Sequence, residues 1–589
     1  MFTIQLTIRI IFVVYLLVVL LVILKKRDFF YKKSSLLFFF LLFLYQMSWI
    51  LQGLDITDEG FNLAKSWFML HGMWKENLDA IAGSSLFGGL WMSIVAKPSI
   101  LWARIGAAIL ISSNFLFILK ILNFYFDKIK NFVFLFVAAI YTTSPSLCCT
   151  TINYNNFPVF LVIISIFLLF NLSEKNKKII SFFVAIFLIF AVFSRLMFVP
   201  FLLIPLFFSI FSKKYNCFFS QPNILLYTIG FLVGLALILI LLISTNSLND
   251  YIANIKTNFG SSGTSHADKT HSLNYLTNLY LNDLWSIIKK TVLAIAFATF
   301  VAFFENTKLK KKLKFTICAF ATILLICIIE YFTKHNVHWW KHFIIAIVLA
   351  NSIVFLLTQK QNYIPKFLLF IGFYLILFSF VGSNNSVLVA IYSGSSALAF
   401  VGSMLFVQQS QLSIKKLKFS FKIWVYISLL SILIFILLHK NNDVYRDKQR
   451  NFLNCTFKSS VLWAISSSKD RVECVDSLLN YFKTTNLENK TILSVNSNPM
   501  IYYLLNKPYY LDNPWFITKE EFEKKTKNVP LPHIIIFATK NPRNPNWPQN
   551  SEICIPFDQQ NYDYFKKLVE SNHYKSTFKN SMFEVFEEN

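Results

Sequence analysis

The sequence predicts a polytopic α-helical membrane protein of about 12–14 transmembrane helices, followed by a C-terminal soluble α/β domain. Three observations carry that prediction. Of 589 residues, 55% are hydrophobic and 66 are Phe, and the mean hydropathy of +0.53 lies outside the soluble globular range. The formal net charge of +26 sits in short lysine clusters between apolar runs, as in loops under the positive-inside rule, and not in one stripe suited to nucleic acid. After His439 the apolar runs stop and the composition turns polar.

The first run, Ile4 to Leu24, is followed by Lys25-Lys26-Arg27, which places the N-terminus outside. Its length exceeds that of a signal-peptide core, and no small-residue cleavage site follows. Leu36–Leu51 returns outward, so the loop 52–98 lies outside. Further spans are expected at Ser99–Leu119, Phe132–Cys148, Phe157–Leu172, Ile179–Phe193, Phe198–Phe211 and Ile224–Ile243. A polar outer loop, 244–290, precedes Thr291–Phe304. Then come Phe315–Phe332, Phe343–Leu357, Phe367–Val381, Val387–Val407 and Ile423–Leu438. The pair near Arg195 is shorter than the ~20 residues of a full span. Merging it into one re-entrant element leaves residues 440–589 on the same side as the loop 52–98.

The tail alternates helix and strand. Helices are expected near Lys469–Lys483, Pro499–Leu504 and Tyr562–Glu570, and strands at Thr491–Val495, Ile534–Ala538, Tyr574–Phe578 and Met582–Phe586. A segment of about 150 residues is large enough for its own core. No Gly-rich phosphate loop follows either buried strand, which argues against a nucleotide site. Cys455 and Cys474 lie in this segment, where an oxidising compartment would permit a disulfide. No C-x-x-C spacing and no internal repeat are present.

The chemistry concentrates in Asp55-Ile56-Thr57-Asp58-Glu59-Gly60. Three carboxylates crowd a loop of roughly fifty residues, long for a connector. At a membrane surface such charge is costly unless water, a cation or a partner stabilises it. Phe61, Ala64 and Phe68 pattern a helix after it, whose N-terminus favours Asp58 and Glu59. Capping accounts for one acidic residue and leaves two unexplained.

This Asp58-Glu59-Gly60-Phe61 motif in a first large outer loop resembles the GT-C class of lipid-phosphosugar glycosyltransferases. The likeness is to the bacterial branch of protein O-mannosyltransferases and the lipid A aminoarabinose transferase. It extends to Leu101-Trp102-Ala103-Arg104, Asn153-Tyr154-Asn155-Asn156 and Phe193-Ser194-Arg195. The resemblance implies a polyprenyl-phosphate sugar donor, a lipid, glycan or protein acceptor, and inverting transfer on the outer face of a bacterial inner membrane. It makes Asp58 the candidate base, with Glu59 and Asp55 orienting it. Part of the class uses a divalent cation, Mg or Mn, for which Asp55 and Asp58 would be ligands. Asn155 departs from relatives that carry an acidic residue there.

The leaving phosphate needs cations. Arg195 and Arg104 are candidates, since phosphate binding gives purpose to an arginine near a span; snorkelling or pairing with a loop carboxylate is the alternative at both, evenly balanced at Arg195 and favoured at Arg104. In Lys334–His342, the positions His335, His338 and His342 allow a zinc face, Trp339 and Trp340 read as an interfacial belt, and Lys341 with His338 suits phosphate or sugar. Lys289 and Lys290 form a similar pair. Three rivals remain: a glycan polymerase, opposed by the scarcity of outer-loop arginine; a flippase, opposed by the absence of repeats; and a non-catalytic envelope binding protein.

Overall fold

The computed structural model describes residues 27–126, 128–143, 151–215, 220–260, 273–305, 311–335, 339–358, 363–409, 411–414, 417–485, 487–511, 513–515, 519–553 and 559–588. The expected span Ile4–Leu24 lies outside the described residues. Within them, eight helices are long and apolar enough to cross a membrane, and five shorter apolar helices of 10–17 residues accompany them. The chain is a helical membrane protein with a small C-terminal sheet.

The first half holds α1 (Arg27–Met47), α2 (Asp58–Leu70), α3 (Ala82–Met92), α4 (Ile100–Leu122), α5 (Lys128–Thr142), α6 (Phe157–Phe170) and α7 (Lys177–Ser194). A 3-10 turn at Leu196–Leu203 contains Pro200, whose missing N–H breaks the ladder before α8 (Ile204–Tyr215). α9 (Ile224–Ser244) and α10 (Leu248–Gly260) follow. The second half holds α11 (Leu273–Glu305), α12 (Lys311–His335), α13 (Trp339–Thr358), α14 (Tyr363–Ser379), α15 (Leu388–Tyr392), α16 (Ala397–Gln409) and α17 (Lys422–Asn442).

Two expectations need correction. The stretch 244–290, expected as a polar loop, contains α10 and the first five turns or so of α11, because its polar residues alternate with apolar ones at helical spacing. The span expected at Val387–Val407 is two helices. Gly394, at φ +82°, turns the chain where a Cβ would lie 3.0 Å from the Asn114 amide nitrogen. The freed backbone is tied by serines: Ser395 Oγ donates to Ser379 Oγ (2.9 Å) and the Ala390 carbonyl (3.2 Å). A hairpin absent from the sequence expectations, β1 (Gln411–Ile414) with β2 (Leu417–Ser420), joins α16 to α17.

In the C-terminal domain, β3 (Cys455–Thr456) pairs with β4 (Ser466–Ser467), followed by α18 (Lys469–Thr484). Then come β5 (Ile492–Val495), α19 (Met500–Leu505), α20 (Lys519–Thr526), β6 (Ile534–Ala538), α21 (Gln559–Ser571), β7 (Tyr574–Lys579) and β8 (Phe583–Glu588). The sheet order is β5-β6-β8-β7, with β5 and β6 parallel and the other pairs antiparallel. All residues of β5 and β6 are buried, which is why β6 reads as an unbroken apolar run and β5 as one interrupted only by Ser494. Cys455 and Cys474 are both free, and Cys474 Sγ lies 3.0 Å from Ser581 Oγ.

The loop after α1 does not stand apart from this domain. Leu54, Ile56, Trp67 and Phe68 share one apolar core with Leu478, Met500, Tyr503 and Trp547. Backbone bonds stitch the two segments: Ser466 N to the Leu51 carbonyl (2.8 Å), Gly53 N to the Ser466 carbonyl (2.9 Å) and Met500 N to the Ile56 carbonyl (3.2 Å). The acidic motif is therefore placed by two segments some 400 residues apart in sequence, the separation of Gly53 and Ser466 being 413 positions.

Candidate functional site

From Gln52 to Gly60 every residue is buried except Asp58, whose side chain is 30% exposed. The motif divides its three carboxylates among three tasks. Asp55 starts α2: Oδ1 accepts from Thr57 N (3.0 Å) and Thr57 Oγ1 (2.5 Å), and Oδ2 accepts from Glu59 N (3.0 Å). A carboxylate receiving the first N–H groups of a helix is well placed against its dipole.

Glu59 is 1% exposed and receives Arg104 in a fork, Nε to Oε1 and Nη2 to Oε2, each 2.7 Å. Arg104 also donates to the carbonyls of Ile50 (2.5 Å) and Gly53 (2.8 Å), so every guanidinium nitrogen is committed. The structure thus takes Arg104 out of the phosphate-ligand set and gives Glu59 a structural partner. The pair holds α4 to the loop.

Asp58 is the carboxylate left facing outward. Its Oδ2 accepts from Arg446 Nη2 (2.8 Å) and from the Tyr445 hydroxyl. Burial pushes its carboxyl above the ordinary value of 3.8; the Arg446 guanidinium opposes this, the nearby Asp55 charge adds to it, and Tyr445 and Arg543 oppose it. Among the described residues Oδ1 receives no hydrogen bond. Gly60 explains the third letter of the motif, since a Cβ there would lie 2.5 Å from Met500 N. α2 and α19 meet backbone to backbone at this point.

Arg446 is an addition to the expected set. Its Nη1 donates to Thr57 Oγ1 and lies 3.9 Å from Asp55 Oδ1. A guanidinium therefore sits between Asp55 and Asp58, where the two-carboxylate cation site is expected. Both Asp55 oxygens already accept from backbone N–H groups, so this donor set fits a divalent cation poorly. Among the described residues no group of three or more His, Cys, Asp or Glu side chains is arranged to hold a metal ion.

Arg195 is 5% exposed and terminates α7 in extended backbone, φ −161°. The Asn153–Asn156 loop folds on its own side chains: Asn155 N donates to Asn153 Oδ1 (2.8 Å), and Asn156 Nδ2 to the Thr151 carbonyl (2.8 Å). This leaves Asn155 Oδ1 to accept from Arg195 Nη1 (3.1 Å). Arg195 Nη2 reaches the Val381 carbonyl at 3.4 Å, and no carboxylate pairs with it among the described residues. Asn155 is neutral, so its hydrogen bond leaves the arginine charge uncompensated. A cleft lined by Asn62, Ser66, Gly88, Thr151 and Ile152 separates α2 from this loop.

The other candidates lie elsewhere. Lys341 is 2% exposed, over the Trp340 ring at 5.6 Å. His342 Nε2 contacts Asp283 Oδ1 at 3.1 Å, which engages it away from a zinc face. Lys289 is exposed over Trp285 (5.0 Å), whereas Lys290 is buried and donates to Ser286 Oγ. These partners all belong to α11 and α13, and none of them to the acidic motif. His338 lies outside the described residues. Sequence reasoning missed Tyr445, Arg446, Arg471 and Asp447; the one signal is a cluster of charge, Asp443 to Arg450, directly after the last span. Compared with known proteins, the chain matches no protein-family model and no curated protein.

Proposed function

We propose that the chain is a GT-C-like glycosyltransferase that moves a sugar from a polyprenyl-phosphate donor to a lipid, glycan or protein acceptor on the outer face of a bacterial inner membrane, with inversion. The observation that carries the reading is the division of the acidic motif: Asp55 and Glu59 are locked, and Asp58 alone keeps an oxygen open. A general base requires that arrangement, a held carboxylate with one free lone pair toward the acceptor. The uncompensated Arg195 supports it as the group to receive the leaving phosphate.

In this mechanism the acceptor O–H gives its proton to Asp58 Oδ1 while the acceptor oxygen bonds to the anomeric carbon. The anomeric carbon–oxygen bond to phosphate breaks, and its electron pair leaves on the lipid phosphate. No step is routed through a metal.

The test is release of free polyprenyl phosphate by purified protein from a panel of short-chain polyprenyl-phosphate hexoses, with an extracted glycolipid acceptor pool, followed by mass spectrometry. Wild type is expected to turn over. Asp58→Asn is expected to lose at least ~10²-fold, the usual scale for a general base, while keeping its melting temperature. Near-normal turnover by Asp58→Asn would remove it as base. One observation favours a second reading, that of a non-catalytic envelope protein: the Asp58–Arg446 ion pair also works as a latch between the loop and the C-terminal domain. Absence of turnover across the whole donor panel, from folded protein, would favour it.

A further inference from the structure

We propose that Arg446 is a positioning residue that sets both the charge and the aim of the Asp58 carboxylate, an inference whose kinetic part rests on the transfer reading above. Three contacts converge on it from one guanidinium: Asp58 Oδ2 at 2.8 Å, Thr57 Oγ1, and Asp55 Oδ1 at 3.9 Å. With the Tyr445 hydroxyl on the same Oδ2, rotation of the carboxylate is fixed and Oδ1 is the oxygen turned away.

The turn that presents Arg446 is built for the purpose. Val444 and Asp447 bridge each other, and Arg446 between them has φ +51°, a left-handed conformation that costs a non-glycine residue free energy. Surroundings that over-determine the turn maintain it. Arg471, with no exposed side-chain surface, donates to the Arg446 carbonyl (2.8 Å) and to the Leu54 carbonyl (3.2 Å), and pairs with Asp447 (3.1 Å). Asp447 Oδ2 in turn accepts from Leu54 N (2.9 Å) and Ser467 Oγ (2.7 Å). One buried cation thus gauges the distance between the strained turn and the acidic motif. A plain surface latch would require neither the strain nor the gauge.

The charged groups facing Asp58 are Asp55, Arg446 and Arg543, with the neutral Tyr445 hydroxyl beside them; Glu59 is neutralised by Arg104 and Asp447 by Arg471. Burial and Asp55 favour the protonated acid, and Arg446 is the closest cation opposing them. Without it, Asp58 would hold its proton at higher pH and lose its fixed orientation.

The experiment is carboxyl labelling of the full-length protein with a carbodiimide and an amine, read at Asp58 by peptide mass spectrometry across pH. It is run on wild type, Arg446→Gln and Arg446→Lys, alongside donor turnover. The labelling needs no activity, so it separates this inference from the transfer reading. Arg446→Gln is expected to move the Asp58 midpoint up by about one pH unit or more. Its kcat should fall ~10²-fold with the donor KM within about two-fold, and the acid limb should shift with the midpoint. Arg446→Lys keeps the charge and should return the midpoint most of the way, while recovering only part of kcat because a lysine lacks the fork. An unmoved Asp58 midpoint in folded Arg446→Gln, or wild-type kcat in that variant, would overturn the proposal. Should Arg446→Gln not fold, a wild-type kcat in Arg446→Lys would overturn it equally, since the fork would then be dispensable.

Discussion

At the scale of single residues, neighbouring carboxylates of one motif are set apart by what receives them. Asp58, raised by burial and then by Asp55, ionises above the ordinary 3.8. In the transfer proposed above, the base form is lost as pH falls through that raised value, so the acid limb should begin above the range of an exposed aspartate; a pH–kcat profile checks it. The same sign means that Asp58 burial opposes folding at neutral pH and ceases to do so as the carboxyl protonates. Glu59 and Arg104 behave differently, being 1% and 2% exposed and joined by a fork. Arg104→Ala strands a buried carboxylate and should cost about 3–5 kcal/mol, seen as a fall in melting temperature in detergent before any assay of transfer. Burial holds the Cys474 thiol above its ordinary pKa, so alkylation at pH 8 should modify the half-buried Cys455 first, by peptide mass spectrometry.

At the scale of elements, α2 is a helix whose start is the site. Asp55 caps it, Asp58 opens it, and Gly60 lets α19 approach to backbone contact. Gly60→Ala would place a methyl 2.5 Å from Met500 N, and should cost about 1–3 kcal/mol and weaken the proposed transfer, as the two helices move apart. Gly402→Ala is the control. Its Cβ would meet nothing closer than 3.5 Å inside α16, so it should be neutral or stabilise by up to ~1 kcal/mol in the same melts. The break between α15 and α16 falls at Ser393-Gly394-Ser395-Ser396, a small and polar stretch inside an apolar run, where Gly394 takes a φ of +82° that favours glycine.

At the scale of the whole molecule, the C-terminal domain completes the membrane half. Leu54, Ile56, Trp67 and Phe68 are buried against it and would be exposed without it. A chain ending at Asn442 should therefore show an acidic loop cut rapidly by protease, and none of the proposed transfer, whereas the full chain resists cleavage. Arg471 expresses the same dependence. Burial brings its guanidinium down to about 10, still charged at neutral pH, and its contacts run to carbonyls of both segments.

Much of this architecture is legible in the chain itself. Membrane-length helices follow from long apolar runs, which have no other stable state than a bilayer-crossing or buried helix. Two strands of the tail, β5 and β6, follow from clusters rich in β-branched residues, and β8 from the alternation of Phe583 and Val585 with Glu584; the acidic motif stands out because charge is rare in such a chain. Those signals are local, carried by residues within one or two turns. The partners of the motif are not legible, because Arg104, Tyr445 and Arg446 reach it only through folding, and nothing in a sequence tells a lysine or arginine near a span which carboxylate it will meet. Tertiary structure alone decides that Glu59 is paired, that Asp55 is a cap, and that Asp58 keeps an open oxygen. The physical reason is that a buried charge is satisfied by whichever counter-charge packing brings within about 3 Å, and packing is a property of the whole chain.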